Sequence, residues 1–480
     1  MKQYLQNSIK IFLPKLGAKI SFELFLSILC LGLILWQANK LREYNYAQVP
    51  LPGETRDEYS FGWLGLSLIQ QKYPIAWSGI GAYENTSMEH INVDHIFDVN
   101  PNQPDFPIDK PWFDHPPLFG LVVGGYAHLK GVNSFEDASV IILRRPMLKI
   151  ALLNIALVFW LASALFNKKT GLVAALLMAC IPLIAISSRL ALAENGYLPF
   201  FLGSVISVDY YLKTKKTKYW LFSLLVGLLA MLMKLSGGAV FIFLFLIAAL
   251  YGGKKRKKLM AQAVIGAFIA FFVFCLYGFY YDWHTFLNVL SVNAQRFYGS
   301  SSEIMLHAIA KSKVVNGFTD GWILTGWISF FVVASRGWMK SKSIMILTLA
   351  IFSYAIVYVL FGSEPYGWYR LPFYPFLVIS TAYALLLFLK EKNIPLYAIL
   401  FMLPLGTSLH RLVGVEGFQA YVPVLRCGTL FSLLSLALYF YQPKFRFLIN
   451  IIWIMLLALS VFTSVKLIYF YDVNKWYFAT

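Results

Sequence analysis

Runs of about 20 apolar residues recur along almost the whole 480-residue chain, and no other feature limits its fold so strongly. Thirteen stand out, at roughly 21–38, 147–166, 171–188, 196–212, 219–235, 237–252, 260–278, 322–337, 343–362, 371–389, 394–409, 425–441 and 447–465. Inside a bilayer no water is present to satisfy the peptide groups, so segments of this length and hydropathy are stable there as helices. The fold class expected is an all-α polytopic membrane protein of about 13 transmembrane helices. Composition agrees, because 59% hydrophobic against 13% charged residues lies far from an ordinary soluble domain.

The basic excess is informative once it is placed along the chain. A formal charge of +18 would point to nucleic acid in a soluble protein. Here Lys and Arg fall instead in alternate short loops, as expected when they are retained on the cytoplasmic side. With the N-terminus inside (Lys2, Lys10, Lys15, Lys19), the inner loops are Lys168–Lys169, "KTKKTK" at 213–218, "KKRKK" at 254–258, "SRGWMKSK" at 335–342, "KEK" at 390–392 and "KFR" at 444–446. These segments hold 22 of the 41 basic residues, while 20 of the 23 acids fall on the other side, Glu23, Asp209 and Glu391 being the exceptions. No nucleic-acid partner is implied.

That register fixes the rest of the topology. Counting "PPLFGLVVGGYAHLKG" (116–131) as a span would reverse every later loop, so it is expected to be a juxtamembrane helix. Two large outer loops follow, 39–146 and 279–321, with Tyr and Trp at their edges as interfacial anchors, and the tail 466–480 is also outside. The basic start lacks a small-residue cleavage site, which predicts a retained first helix in a single integral domain, 1–480, of the cell membrane. Cys30, Cys180, Cys275 and Cys427 have no paired spacing and are read as packing residues.

Chemistry-bearing residues concentrate on the outer side. "RDE" at 56–58 opens the amphipathic stretch "YSFGWLGLSLIQ"; Asp114 and His115 stand before two prolines in "DKPWFDHPPL"; Arg189 and Glu194 lie in "SSRLALAENG", spaced by about one and a half turns if the span continues as a helix. A carboxylate so placed can take the proton from an attacking hydroxyl, and a neighbouring one can position it or bind a metal. Arg144–Arg145, Arg189, Lys234, Arg296 and Arg370 sit near outer helix ends, where they can hold a phosphate and stabilise charge developing on it. Plainer roles compete: Asp57 and Glu58 as helix-capping acids, Arg144–Arg145 as a lipid headgroup contact, His115 and His284 as structural rings, Glu194 and Lys234 as snorkelling side chains.

Taken in order, "RDE", "DHPPL", "RLALAEN", "LMKLSG", "AQRFYG" and "WYRLPFYPFL" make the chain resemble the GT-C superfamily of polyprenyl-phosphate-sugar glycosyltransferases, in particular the branch with protein O-mannosyltransferases and the lipid A aminoarabinose transferase. The resemblance implies the GT-C fold and makes Asp57 the first-loop catalytic acid, with Glu58 beside it. Asp114 then matches the acid at the turn and Glu194 the acid after the third span. It implies that Arg144, Arg189, Lys234 and Arg296 are candidates for the donor phosphate, Lys234 and Arg296 being the better matched by motif. Some members bind a divalent metal near the turn acid through a His ahead of "QRF". Here Asn293 stands in that neighbourhood and the nearest His is His284, so Asp114, His115 and His284 remain only candidate ligands.

The reaction expected is direct displacement at the anomeric carbon of a polyprenyl-phosphate sugar, with inversion. The partners expected are that donor, an acceptor lipid, glycan or protein, and the surrounding membrane lipids. Two rivals stay open: a transferase or ligase of whole oligosaccharides or other lipid-linked groups, and a transporter or flippase, which would place its polar groups in mid-span.

Overall fold

The computed structural model describes residues 22–52, 55–83, 87–92, 105–295, 320–361, 367–391 and 399–470. Arg296 lies outside the described residues. The first apolar run forms α1 (Phe22–Glu43), and before the next long helix come α2 (Asp57–Gln70), an antiparallel hairpin of β1 (Ser87–Asn92) and β2 (Asp105–Lys110), and α3 (Leu118–Leu129). The middle of the chain is α4 (Val140–Leu165), α5 (Lys168–Cys180), α6 (Pro182–Ser187), α7 (Ala193–Thr214), α8 (Thr217–Met233) and α9 (Ala239–Tyr251). There follow α10 (Arg256–Gln295), α11 (Gly321–Gly337), α12 (Lys342–Phe361), a 3-10 turn at Gly367–Phe373, α13 (Tyr374–Lys390), α14 (Met402–Tyr441) and α15 (Arg446–Phe470).

By length and composition, seven helical segments among the described residues can cross a membrane: α1, α4, Gly253–Gln295, Lys342–Leu360, Gly367–Lys390, Gly417–Tyr441 and Pro443–Phe470. Of the other expected spans, 196–212 falls on the 22-residue α7, 394–409 lies partly outside the described residues, and the rest fall on shorter helices. Residues 171–188 are split into α5 and α6, because Pro182 opens α6 without an N–H and holds Ile181 extended (φ −67°, ψ 121°). The segment 116–131 contains the short helix α3, whose 12 residues are too few to span. Large apolar side chains of α1, α10 and α15, such as Leu33, Phe268 and Phe447, point away from the protein, as helices bordered by acyl chains require, whereas α7 and α13 are buried over most of their length.

One expectation made from helical spacing needs correction, and one helix outruns its apolar run. Helix α10 continues beyond the run at 260–278 to Gln295, with a break at Asp282 (φ −161°, ψ 103°). The Asp282 carboxylate accepts from the His284 amide at 3.0 Å and the Thr285 hydroxyl at 2.7 Å, capping the second segment. Residues 188–192 are not helical, so Arg189 and Glu194 do not lie at helical spacing. The Asn195 amide donates to the carbonyls of Ser187 (2.9 Å) and Leu190 (3.0 Å), giving that turn the partners that a continuous helix would have supplied.

Two glycines set the height at which α2 lies on α3. A Cβ on Gly65 would fall 2.0 Å from the Gly120 carbonyl oxygen, and one on Gly124 would fall 2.4 Å from that of Gly62, so the helices touch backbone to backbone. Trp63 then reaches the Phe135 carbonyl (3.1 Å), and Ser60 the Trp77 carbonyl (2.8 Å). The first turn of α2, with Asp57 and Glu58, is thereby fixed against α4 and the turn before α7.

Candidate active site

Glu58 is fully buried in the first turn of α2 and holds Arg144 of α4 in a two-pronged ion pair. Arg144 Nε donates to Oε1 at 2.8 Å and Nη2 to Oε2 at 2.6 Å, and Oε1 also accepts the Ala191 amide at 2.8 Å. The remaining Arg144 donors reach the carbonyls of Tyr46 and Pro50, each at 2.7 Å, and Leu51 at 3.3 Å. Every face of this guanidinium is used by the protein itself.

Arg189 acts on the same segment from the other side. Its two terminal nitrogens donate to the Val49 and Leu41 carbonyls at 2.8 Å, and its buried Nε has no hydrogen-bond partner among the described residues. Burial, with Arg42 and Arg144 close by, pulls its pKa down to about 9, which leaves it cationic at neutral pH. Arg42, at the end of α1, is the third buried guanidinium: it donates to Ser188 Oγ (3.0 Å) and to the carbonyls of Met178 (3.0 Å) and Ala179 (3.1 Å). Together the three arginines clamp residues 41–51, the stretch that leads into "RDE". Arg42 also lines a small interior cavity with Asn154, Ser187, Ser188, Asn195 and Tyr374.

The second buried pair lies three residues beyond Ala191. Glu194, at the start of α7, accepts through Oε1 from Lys234 Nζ; its side chain is wholly buried and that of Lys234 is 8% exposed. Glu194 Oε2 has no hydrogen-bond partner among the described residues. The Lys234 ammonium also stands 4.7 Å from the centre of the Tyr369 ring. Tyr369 and the buried Arg370 belong to the 3-10 turn before α13, and the Tyr354 hydroxyl anchors that turn by donating to the Tyr369 carbonyl at 2.6 Å.

Asp114 completes the acidic side. Its Oδ1 accepts from the Tyr83 hydroxyl and its Oδ2 from the Ser78 hydroxyl, both at 2.6 Å, while the Ser78 amide donates to Asp109 Oδ2 at 3.0 Å. One serine thus joins two carboxyl groups. Burial, with repulsion from Asp109 and Asp57 adding to it, pushes Asp114 up to about 7, and burial pushes Asp109 up to about 6. Asp57 is half-buried within electrostatic reach of Asp114, and Arg56 is exposed with its guanidinium 5.2 Å from the Trp77 ring centre.

The metal candidates are placed differently. His115 stacks on Phe61 at 5.4 Å, and His284 is exposed against Trp283 at 3.8 Å. Among the described residues no three His, Cys, Asp or Glu side chains are grouped to hold a metal ion. Asp114, whose two oxygens accept from hydroxyls, therefore stands without a ligand set around it among the described residues.

Asp57, Glu58, Arg144, Arg189, Glu194 and Lys234 therefore converge through the 188–194 turn, with Asp114 beside Asp57. Sequence reasoning missed Asp109, Ser78, Tyr83 and Arg42. Asp109 stands within the quoted "DKPWFDHPPL", but its partner Ser78 is 31 residues away and meets it only after the chain folds back. Arg42 looks like an interfacial anchor at a helix end, and nothing in its spacing signals burial.

A family model described as dolichyl-phosphate-mannose-protein mannosyltransferase matches residues 114–280, which contain Asp114, Arg144, Arg189, Glu194 and Lys234. No curated protein matches the chain. Among solved structures, ArnT from Cupriavidus metallidurans bound to undecaprenyl phosphate aligns at a TM-score of 0.55 and 13% identity over 95% of this chain and 77% of that one. The apo form of the same protein aligns at 0.50 and 12% identity over 87% and 72%. The oligosaccharyltransferase of Archaeoglobus fulgidus in its apo form aligns at 0.49 and 13% over 93% and 57%. With its succession of apolar helices and this likeness in fold to the ArnT structures, the chain is a multi-pass membrane protein with the GT-C fold.

Proposed function

We propose that the protein is a membrane glycosyltransferase that moves a single sugar, hexose or pentose, from a polyprenyl-phosphate donor to an acceptor hydroxyl on the outer face of the cell membrane, with inversion. The observation that carries this reading is that one turn of chain ties both sides of the site: Glu58, next to the half-buried carboxylate of Asp57, accepts the Ala191 amide, and Glu194, three residues on, pairs with the buried Lys234. Asp57 takes the proton of the acceptor hydroxyl as its oxygen attacks the anomeric carbon. The lipid phosphate leaves with the bonding electrons and is held by Lys234, with Arg370 beside it. Glu58 and Arg144 have their donors and acceptors on the protein, and both terminal nitrogens of Arg189 donate to its carbonyls, so they serve this chemistry by fixing the stretch that leads into the first turn of α2.

The undecaprenyl phosphate bound to the ArnT neighbour supports a polyprenyl-phosphate lipid as the donor carrier. The rival in which a whole oligosaccharide is moved differs only in its donor. A transporter is disfavoured because the ion pairs that could serve a substrate gather at helix ends and turns rather than in mid-span.

The test is native mass spectrometry of wild type and Asp57→Asn with a panel of polyprenyl-phosphate monosaccharides, followed by transfer assays with the retained species. Both proteins should retain one donor, and only wild type should turn it over. Full transfer by a well-folded Asp57→Asn overturns the assignment of the base. Retention of a pyrophosphate-linked glycan, and of no monosaccharide donor, overturns the donor.

A further inference from the structure

Glu194 occupies a peculiar place for a carboxylate beside a lysine meant to bind phosphate. It lies wholly buried at the start of α7 with Lys234 on Oε1, and its Oε2 has no hydrogen-bond partner among the described residues. Lys234 is the more accessible member of the pair, and its ammonium has three donors, one of which Glu194 takes. The rest of that amine faces the Tyr369 ring, whose own turn is anchored by Tyr354. The carboxylate is thus the inner partner and the amine the outer one.

We infer that Glu194 is a built-in counter-charge to Lys234 that sets which phosphate the site retains: it permits the singly charged phosphodiester of the donor and opposes the doubly charged phosphomonoester of the product. This inference rests on the donor reading above. In the transfer step the bond between the anomeric carbon and the phosphate oxygen breaks, that oxygen keeps the electron pair, and the acceptor oxygen forms the new bond while its proton passes to Asp57. The lipid phosphate therefore gains one negative charge, close to the carboxylate that is paired with Lys234. Unlike charges hold the donor and like charges expel the product, so Glu194 acts as a positioning and release residue through Lys234 rather than as a base.

The experiment measures binding of two probes, undecaprenyl phosphate and its methyl phosphodiester, to the full-length protein in nanodiscs at pH 8. The variant is Glu194→Gln, which is isosteric and keeps an oxygen for Lys234 to bind. It should bind the monoester about tenfold or more tighter than wild type does, with a much smaller gain for the diester, and its transfer should show stronger inhibition by undecaprenyl phosphate. In the double variant Glu194→Gln/Lys234→Met, which leaves no member of the pair charged, the gain should vanish. Equal or weaker monoester binding by a folded Glu194→Gln, or equal gains for both probes, overturns the inference and leaves the donor reading intact. If folded wild type binds neither probe, the donor reading itself falls, and this inference falls with it.

Discussion

At the level of single residues, burial separates groups that look alike in sequence. Asp57 and Glu58 are neighbours, yet Asp57 is half-buried near Asp114 whereas Glu58 is sealed against Arg144. Removing one member of a buried ion pair leaves the other uncompensated, at a cost of about 3–5 kcal/mol. Glu58→Gln should accordingly lower the melting temperature sharply, and Glu58→Gln with Arg144→Met should recover much of the loss, as thermal unfolding in detergent would show. Asp109 and Asp114 give a pH signature. Their folded pKa values, about 6 and about 7, lie above the usual carboxylate value of 3.8, so the folded state binds more protons than the unfolded one between those limits. Their contribution is complete below about pH 4 and falls as pH rises through 6 and 7. Wild type should melt lower at pH 8 than at pH 5.5, and Asp114→Asn, which cannot ionise, should show a smaller difference. The acids at 57, 58, 114 and 194 were legible in the sequence because charge is conspicuous in so apolar a chain. Their division into half-buried and sealed was not, because it depends on which partner each one meets.

At the level of elements, the site is held up by the crossing of α2 and α3. The sequence shows two short apolar stretches rich in glycine, and amphipathic spacing alone predicts helices there. That they touch at Gly65 and Gly124 is a matter of tertiary packing, since 59 positions separate the two in sequence. A methyl at Gly65 meets a backbone carbonyl that cannot rotate away, so Gly65→Ala should cost about 1–3 kcal/mol and displace the first turn of α2. A drop in both melting temperature and transfer rate, greater than that of a Gly81→Ala control where a Cβ meets nothing, is the expected result. The same lesson comes from 188–192 and from Asp282. Hydrophobic periodicity carries a helix forward until a proline, a side-chain cap or a competing partner interrupts it, and those partners come from elsewhere in the chain.

At the level of the whole molecule, orientation is the property on which the proposed outer-face site depends, and loop charge is its physical basis. In a background without the four native cysteines, a membrane-impermeant thiol reagent should label Arg56→Cys in intact cells and label Lys257→Cys only after permeabilisation. Labelling of both, or the reverse order, would remove the outer-face assignment. By itself the sequence determined that the chain lies in a membrane, roughly where its helices run and on which side its charges are expected, because the penalties for exposing peptide groups and moving charges across hydrocarbon act locally on each segment. Only the tertiary structure decided that Arg144 and Arg189 grip the protein's own carbonyls, that Lys234 is met by Glu194, and that Asp109 and Asp114 share Ser78. Those choices rest on distances of a few ångströms between groups tens of residues apart, a length scale that packing controls and local hydropathy does not.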